Sequence, residues 1–193
     1  MGGHILEVCN SETDLRVIVQ NDLKVSEQCA KVVKTANKIL GMINRTFSHK
    51  SQDIIMLLYK SLVRPHLEYC VQAWRPSLVK DISLLESVQR RVTRMVPNIN
   101  TLSYEQRLKY LNLTTLEMRR LRGDLIEVFK ILNKFDAVDQ SLFFSASETN
   151  LRGHGQKLFK HRFCTNIGKF AFSNHVNDVN DLHKFASTQT REV

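Results

Sequence analysis

The sequence predicts a mainly α protein: a helical bundle with short N-terminal strands and a basic, partly extended C-terminal segment. Three observations lead there. Apolar residues recur at steps of three and four through most of residues 26–133, which places them on one face of successive helices. Glycine and proline number only 7 and 3 in 193 residues, too few for collagen, low-complexity linkers or a turn-rich β fold. The hydrophobic share is 42% and the charged share 24%, so the chain has enough apolar side chains for a core, and wholesale disorder is excluded.

Residues 1–24 read as extended. HILEV (4–8) and LRVIVQ (15–20) carry alternating or continuous β-branched and apolar residues, and Asn10-Ser11 and Asn21-Asp22 supply turn chemistry. Two strands are too few to stand alone, so they are expected to pair with something else. The clearest helix covers 26–47, with Ser26 as its N-cap. Cys29, Val33, Ala36, Leu40, Ile43 and Phe47 share one face, and Lys31, Lys34, Lys38 and Arg45 fall on others. A second helix begins at Ser51, with Asp53 in its first turn and Ile54, Ile55, Leu58 and Leu62 as its stripe. Pro65 has no amide and is expected to end or kink it. A second piece, His66 to Trp74, then stops before Pro76.

A third helix is expected over Lys80–Val96, burying Leu85, Val88, Val92 and Met95 and exposing Arg90, Arg91 and Arg94. Pro97-Asn98 and Asn100 mark a loop. Ser103 with Gln106, and Thr114 with Glu117, have capping-box spacing, which predicts helices near 104–111 and 115–133. Met118, Leu121, Leu125, Val128 and Leu132 stripe the longer one. Arg119, Arg120 and Arg122 crowd its positive end, a placement that an outside anion would offset. Residues 135–150 read as a polar connector, with a turn at Gly153 and Gly155 leading into short strands or a helix, and 178–193 as a frayed tail. No repeat of fixed period is present.

The 28 Lys and Arg residues outnumber 19 Asp and Glu, a net charge of +9 that attracts polyanions. Nucleic acid is the expected partner and an anionic membrane surface its rival. Cys9, Cys29, Cys70 and Cys164 are far apart and form no CxxC pair, unlike a disulfide scaffold. MGGHILEV lacks the basic and apolar regions of a signal peptide, and Leu6 stands where a myristoylation site wants Ser or Thr. No apolar run is long enough to span a bilayer. A reduced intracellular compartment, nucleus or cytoplasm, is expected, with no membrane partner.

Catalytic patterns are scarce. A polymerase needs adjacent carboxylates for two divalent ions, and the sequence contains no Asp-Asp pair. Asp136 with Asp139, and Asp178 with Asp181, read as solvated loop carboxylates. GxxxxGK[ST], GxSxG and HExxH are absent. His161, Cys164, His175 and His154 offer only one pair at zinc spacing, His161-x-x-Cys164, and read as ordinary polar residues. No cofactor is expected. Cys29 and Cys70 read as core residues, and Tyr59, Tyr69 and Trp74 read as core packing before base stacking.

The basic clusters stand apart. Arg90-Arg91-x-x-Arg94, Arg119-Arg120-x-Arg122 and the 152–169 segment, with Arg152, Lys157, Lys160, Arg162 and Lys169, recur down the chain. One alone reads as a solvated face. Three together, at net +9, point to phosphate binding. Phe159, Phe163, Phe170 and Phe172, interleaved with the last cluster, either stack on unpaired bases or anchor the segment to a core, the second being expected for at least two of them.

LVRPHLEYCVQAW (62–74) resembles the region after the catalytic palm in non-LTR, LINE-type retrotransposon reverse transcriptases of the jockey and chicken-repeat kind. DLRVIVQNDLKVSEQCAKVVKTANKILGMINRTF looks like that family's palm-to-thumb segment. LLESVQRRVTRMV, LSYEQRLKYLNLTTLEMRRLRGDLIEVFKIL and RGHGQKLFKHRF look like its following helices and basic C-terminal module. The resemblance covers about residues 4–183 as an ordered series. It implies a palm-proximal strand remnant at 1–24, a thumb-like bundle at 25–97, a second helical unit at 98–134 and a basic segment at 135–193.

It also implies that the thumb grips a template–primer duplex and the C-terminal part holds RNA, with Arg90, Arg91, Arg94, Arg119, Arg120 and Arg122 as candidate contacts. It supplies no catalytic residue here. The family's carboxylates and their magnesium belong to a palm expected upstream of Met1, and an endonuclease further upstream. The family usually has Gly where Arg16 stands and Asp where Gln20 stands, so that turn is expected to be altered. Its C-terminal Trp-Asn-x-Leu-Pro is here Val179-Asn180-Asp181-Leu182-His183. A missing buried Trp leaves a cavity worth about 3–5 kcal/mol, so 176–193 is expected to be poorly ordered. The expected function is a palm-less reverse-transcriptase fragment that binds RNA or an RNA–DNA duplex. The alternative is a self-associating or protein-binding helical module that exposes apolar surface from 1–24 and the 54–62 stripe.

Overall fold

Helices supply most of the regular structure in a computed structural model that describes residues 9–145, 158–159 and 162–174. The chain forms two compact units, Met1–Arg119 and Arg120–Val193. The sequence expectations at HILEV, Arg152, Lys157, Lys160, His154, His161, His175, Asp178, Asp181 and the tail lie outside the described residues.

The first unit opens with an antiparallel hairpin. Strand β1 (Ser11–Asp14) pairs with β2 (Val17–Gln20), Ser11 opposite Gln20 and Asp14 opposite Val17. The turn residues Leu15 and Arg16 have φ of 44° and 69°, the left-handed pair that tight hairpins require and that Asn-Gly adopts most easily. Ser11 therefore lies in a strand, whereas the sequence suggested a turn. Among the described residues the two strands pair only with each other. Their hold on the rest comes from Val17, buried in the core, and from the Ile18 amide, which donates to Gln28 Oε1 at 3.0 Å.

Helix α1 (Ser26–Thr46) buries Cys29, Val33, Ala36, Leu40 and Ile43, as its period predicts; Phe47 is exposed just beyond its end. Ser26 is the first helical residue and not the cap. Its hydroxyl donates to Asp81 Oδ2 at 2.6 Å, a partner 55 residues away that outcompetes the local amide. Ser51 does cap α2 (Gln52–Leu58), its hydroxyl accepting from the Ile54 amide.

Pro65 does not break the next segment. A wide π turn, Tyr59–Val63, joins α2 to α3 (Arg64–Glu68), and the Arg64 amide donates to the Tyr59 carbonyl five residues back. The widened turn accommodates a residue that has no amide and a bulky ring. It also sets the buried face. A repeat of four creeps round an α-helix by about 40° per step, and the wide turn sets that creep back. Ile55, Tyr59, Val63 and Leu67 are thus all buried, whereas Leu62 of the expected stripe is exposed. Helical geometry ends at Glu68, short of Trp74. Cys70 takes φ 51°, and Tyr69 and Cys70 are exposed, not core. Trp74 is buried, its indole Nε1 donating to the Tyr69 carbonyl at 2.7 Å.

Helix α4 (Val79–Met95) lies against α1 and buries Leu85, Val88 and Val92. Ser103 and Gln106 form the expected capping box on α5 (Tyr104–Tyr110). Before α6 (Leu116–Leu132) it is Thr115, not Thr114, whose hydroxyl accepts from the Met118 amide, at 3.2 Å. Thr114 uses its carbonyl instead, accepting from Gln89 Nε2 at 2.9 Å. The first unit's core continues past residue 97 through Ile99, Leu111 and Leu116.

The second unit has its own small core. Leu125, Val128 and Ile131 of α6 pack with Phe144, Leu158 and Phe172. Phe144 and Phe172 meet at 5.9 Å between ring centroids, so Phe172 anchors as expected, while Phe159 is exposed. A 3₁₀ turn at Gln140–Leu142 is capped by Asp139, and α7 (Asn166–Phe170) by Thr165. Met118, placed on the α6 stripe by its spacing, is exposed.

Candidate nucleic-acid interface

Arg90, Arg91 and Arg94 occupy the last turns of α4, all exposed, where a cation also meets the negative end of the helix dipole. The opposite face of α4 is apolar and buried against α1, so the arginines have only one way to point. Arg91 Nη1 donates to Asn37 Oδ1 on α1 at 3.1 Å, a neutral partner. Arg90 lies over the ring of Tyr104, 5.0 Å from its centroid. Among the described residues none of the three meets a carboxylate.

A buried polar network fixes the Tyr104 ring beneath them. The Tyr104 hydroxyl donates to Glu86 Oε1 in a short hydrogen bond. Gln89, fully buried, donates from Nε2 to the Tyr104 hydroxyl at 3.1 Å, and its Oε1 accepts from Tyr59 at 2.6 Å. Glu86 Oε2 accepts from the Leu116 amide at 3.0 Å, so one carboxylate serves both the ring and the first turn of α6. Burial, then the hydrogen bond to Glu86, pushes the Tyr104 hydroxyl far above its usual range. Burial does the same to Tyr59.

Arg107, which the sequence reading passed over, is the fourth arginine of this face. It projects from α5 and is only 3% exposed. Its spacing to the buried Leu111, one helical turn on, was the available signal.

The second cluster does not form a surface. Arg119 grips Glu68 with two nitrogens, a short contact from Nε to Oε1 and 3.0 Å from Nη2 to Oε2. That carboxylate raises the Arg119 pKa above its ordinary value and supplies, from within the fold, the anion expected from outside. Arg120 is buried, 4% exposed. Arg122 and, in the C-terminal segment, Arg162 and Lys169 are exposed. Cys164 is exposed also, and among the described residues no three His, Cys, Asp or Glu side chains gather in a way that would hold a metal.

No family model, curated protein or solved structure matches this chain. Among the described residues no helix is long and apolar enough to cross a membrane.

Proposed function

We propose that this chain is a non-catalytic, thumb-like portion of a retrotransposon reverse transcriptase, and that it holds RNA or an RNA–DNA duplex. The observation that carries this reading is the α4 face: Arg90, Arg91 and Arg94, exposed and without a carboxylate among the described residues. The ordered resemblance along residues 4–183 and the net charge of +9 support it. Arginines here neutralise backbone phosphates, release counterions and position the duplex, a role that reads shape and charge and not base sequence. Arg122 and Arg162 extend the set of exposed cations. Arg119, held by Glu68, and Arg120, buried, serve the fold first.

Fluorescence anisotropy with single-stranded RNA and with a hybrid duplex, across a salt series, tests this. Three phosphates neutralised by α4 alone give a loss of about 40-fold in affinity between 50 and 200 mM salt, and six give about 10³-fold. A flat profile refutes the mechanism. A primer-extension assay on the same chain is expected to show no synthesis.

A second reading is favoured by exposed apolar side chains: Leu15, Val19 and Leu23 near the hairpin, and Leu57 and Leu62 on the α2 segment. In that reading the chain self-associates or binds another protein. Light scattering with and without RNA separates the two, because salt-insensitive dimers that ignore RNA belong only to the second.

A further inference from the structure

Arg107 is a buried cation with no anion. Its Nε donates to Thr93 Oγ1 at 3.1 Å and its Nη1 to the Leu102 carbonyl at 2.6 Å, both neutral acceptors. Among the described residues it meets no carboxylate. The charges that act on it most are Arg94 and Arg90, of its own sign. Burial first, and those two arginines after it, hold its guanidinium below its ordinary pKa, yet arginine starts so high that it stays charged at neutral pH.

The three heads are brought together by the fold. Arg90 and Arg94 are one turn apart on α4. The Arg90 and Arg107 guanidiniums stand 5.0 and 5.8 Å from the centroid of the same Tyr104 ring. The one carboxylate nearby, Glu86, faces the hydroxyl end of that ring and is taken up by Tyr104, Gln89 and the Leu116 amide. Like charges gathered around a buried, unpaired guanidinium weaken a fold. Such a local cost is characteristic of a place built for a ligand.

We infer that Arg90, Arg94 and Arg107 form a seat for a single phosphate group, which in the nucleic-acid reading above, on which this inference rests, is a backbone phosphodiester. Arg107 is the fixed floor, because Thr93 and Leu102 orient its fork. Tyr104 holds Arg90 flat, which reduces the side-chain freedom lost on binding. Arg94 is the mobile third donor. Guanidinium forks match phosphate oxygens in pairs, so the seat sets the register of the bound strand without reading a base.

The test uses the full chain, with inorganic phosphate and single-stranded RNA as probes. Thermal unfolding is followed in phosphate-free buffer and then with phosphate at matched ionic strength, and RNA binding is followed across a salt series. Phosphate is expected to raise the midpoint saturably. Arg94→Gln, an exposed position, is expected to raise the midpoint without phosphate by relieving Arg107, to abolish the phosphate increment, and to lower the RNA salt slope by about 0.7. Arg90→Gln is expected to lose the increment too. If Arg94→Gln keeps both the increment and the slope, the seat is overturned while RNA binding stands. If phosphate stabilises through Arg94 in a chain that ignores RNA, the seat is upheld and the proposed function falls.

Discussion

Replacing Glu86 with glutamine isolates the link between α4 and α6. Glu86 is 7% exposed and accepts from the Tyr104 hydroxyl, from Gln89 Nε2 at 3.5 Å and from the Leu116 amide at 3.0 Å. Glutamine keeps the volume but sets an NH₂ group where an oxygen accepted. Whichever way the amide turns, either the Leu116 N–H or the Tyr104 hydroxyl loses its acceptor. One buried donor left unpaired costs about 1–3 kcal/mol. Removing a carboxylate from the start of a 17-residue helix adds about 0.3–1 kcal/mol. A loss of roughly 2–3 kcal/mol follows from these two terms. With an m-value of about 2 kcal/mol/M, the urea midpoint should fall by about 1–1.5 M. Hydrogen exchange at the Leu116 amide should quicken in parallel. A midpoint moved by less than about 0.2 M, with that amide still protected, would refute the assigned role of Glu86.

Three other outcomes are expected. Leu15→Asn together with Arg16→Gly should stabilise the hairpin by about 1 kcal/mol in urea unfolding, because both positions have left-handed backbone; destabilisation would show that the turn relies on those side chains. Tyr59 and Tyr104 have pKa values raised by burial, so their contribution is full below about pH 10, where an unfolded tyrosine ionises, and is lost as pH rises beyond it. Stability above pH 10 should fall by as much as about 1.4 kcal/mol per pH unit for Tyr59 and by less for the partly exposed Tyr104, and Tyr59→Phe should flatten the fall. Glu68→Gln should cost about 1 kcal/mol by breaking the two-nitrogen grip of Arg119, and adding Arg119→Gln should cost little more; full additivity would show that the pair contributes nothing jointly.

What the sequence revealed and what it hid divide by range. Helices α1 and α4 were legible because one apolar face of regular period is a local pattern, and the Ser103 capping box because its two partners are three residues apart. Ser26 misled because its hydroxyl finds Asp81 across the fold. The α2 stripe was read one position out of phase because a π turn has no local spelling beyond a nearby proline. The arginine clusters looked alike as strings. The fold separates them: Glu68 reaches Arg119 from 51 residues away, while the α4 arginines find no such partner. Arg107 was missed because charge suggests a surface, although its place in the α5 stripe points inward. The hydrogen-bonded group of Tyr59, Glu86, Gln89 and Tyr104 joins residues up to 30 apart, and no single spacing announces it.

The widened turn at Tyr59–Val63 makes the segment a counted length. Everything after it is indexed to the core by number of residues and not by chemical type. Deleting any one residue between Tyr59 and Val63 would tighten the coil, press the Pro65 ring into the turn before it, and rotate Leu67 and Glu68 together by about 100°. Leu67 would leave the interior and Glu68 would swing away from Arg119. A gene lineage carrying this segment is thus free to exchange side chains along it, but a one-codon loss there would disconnect the two ends at a stroke.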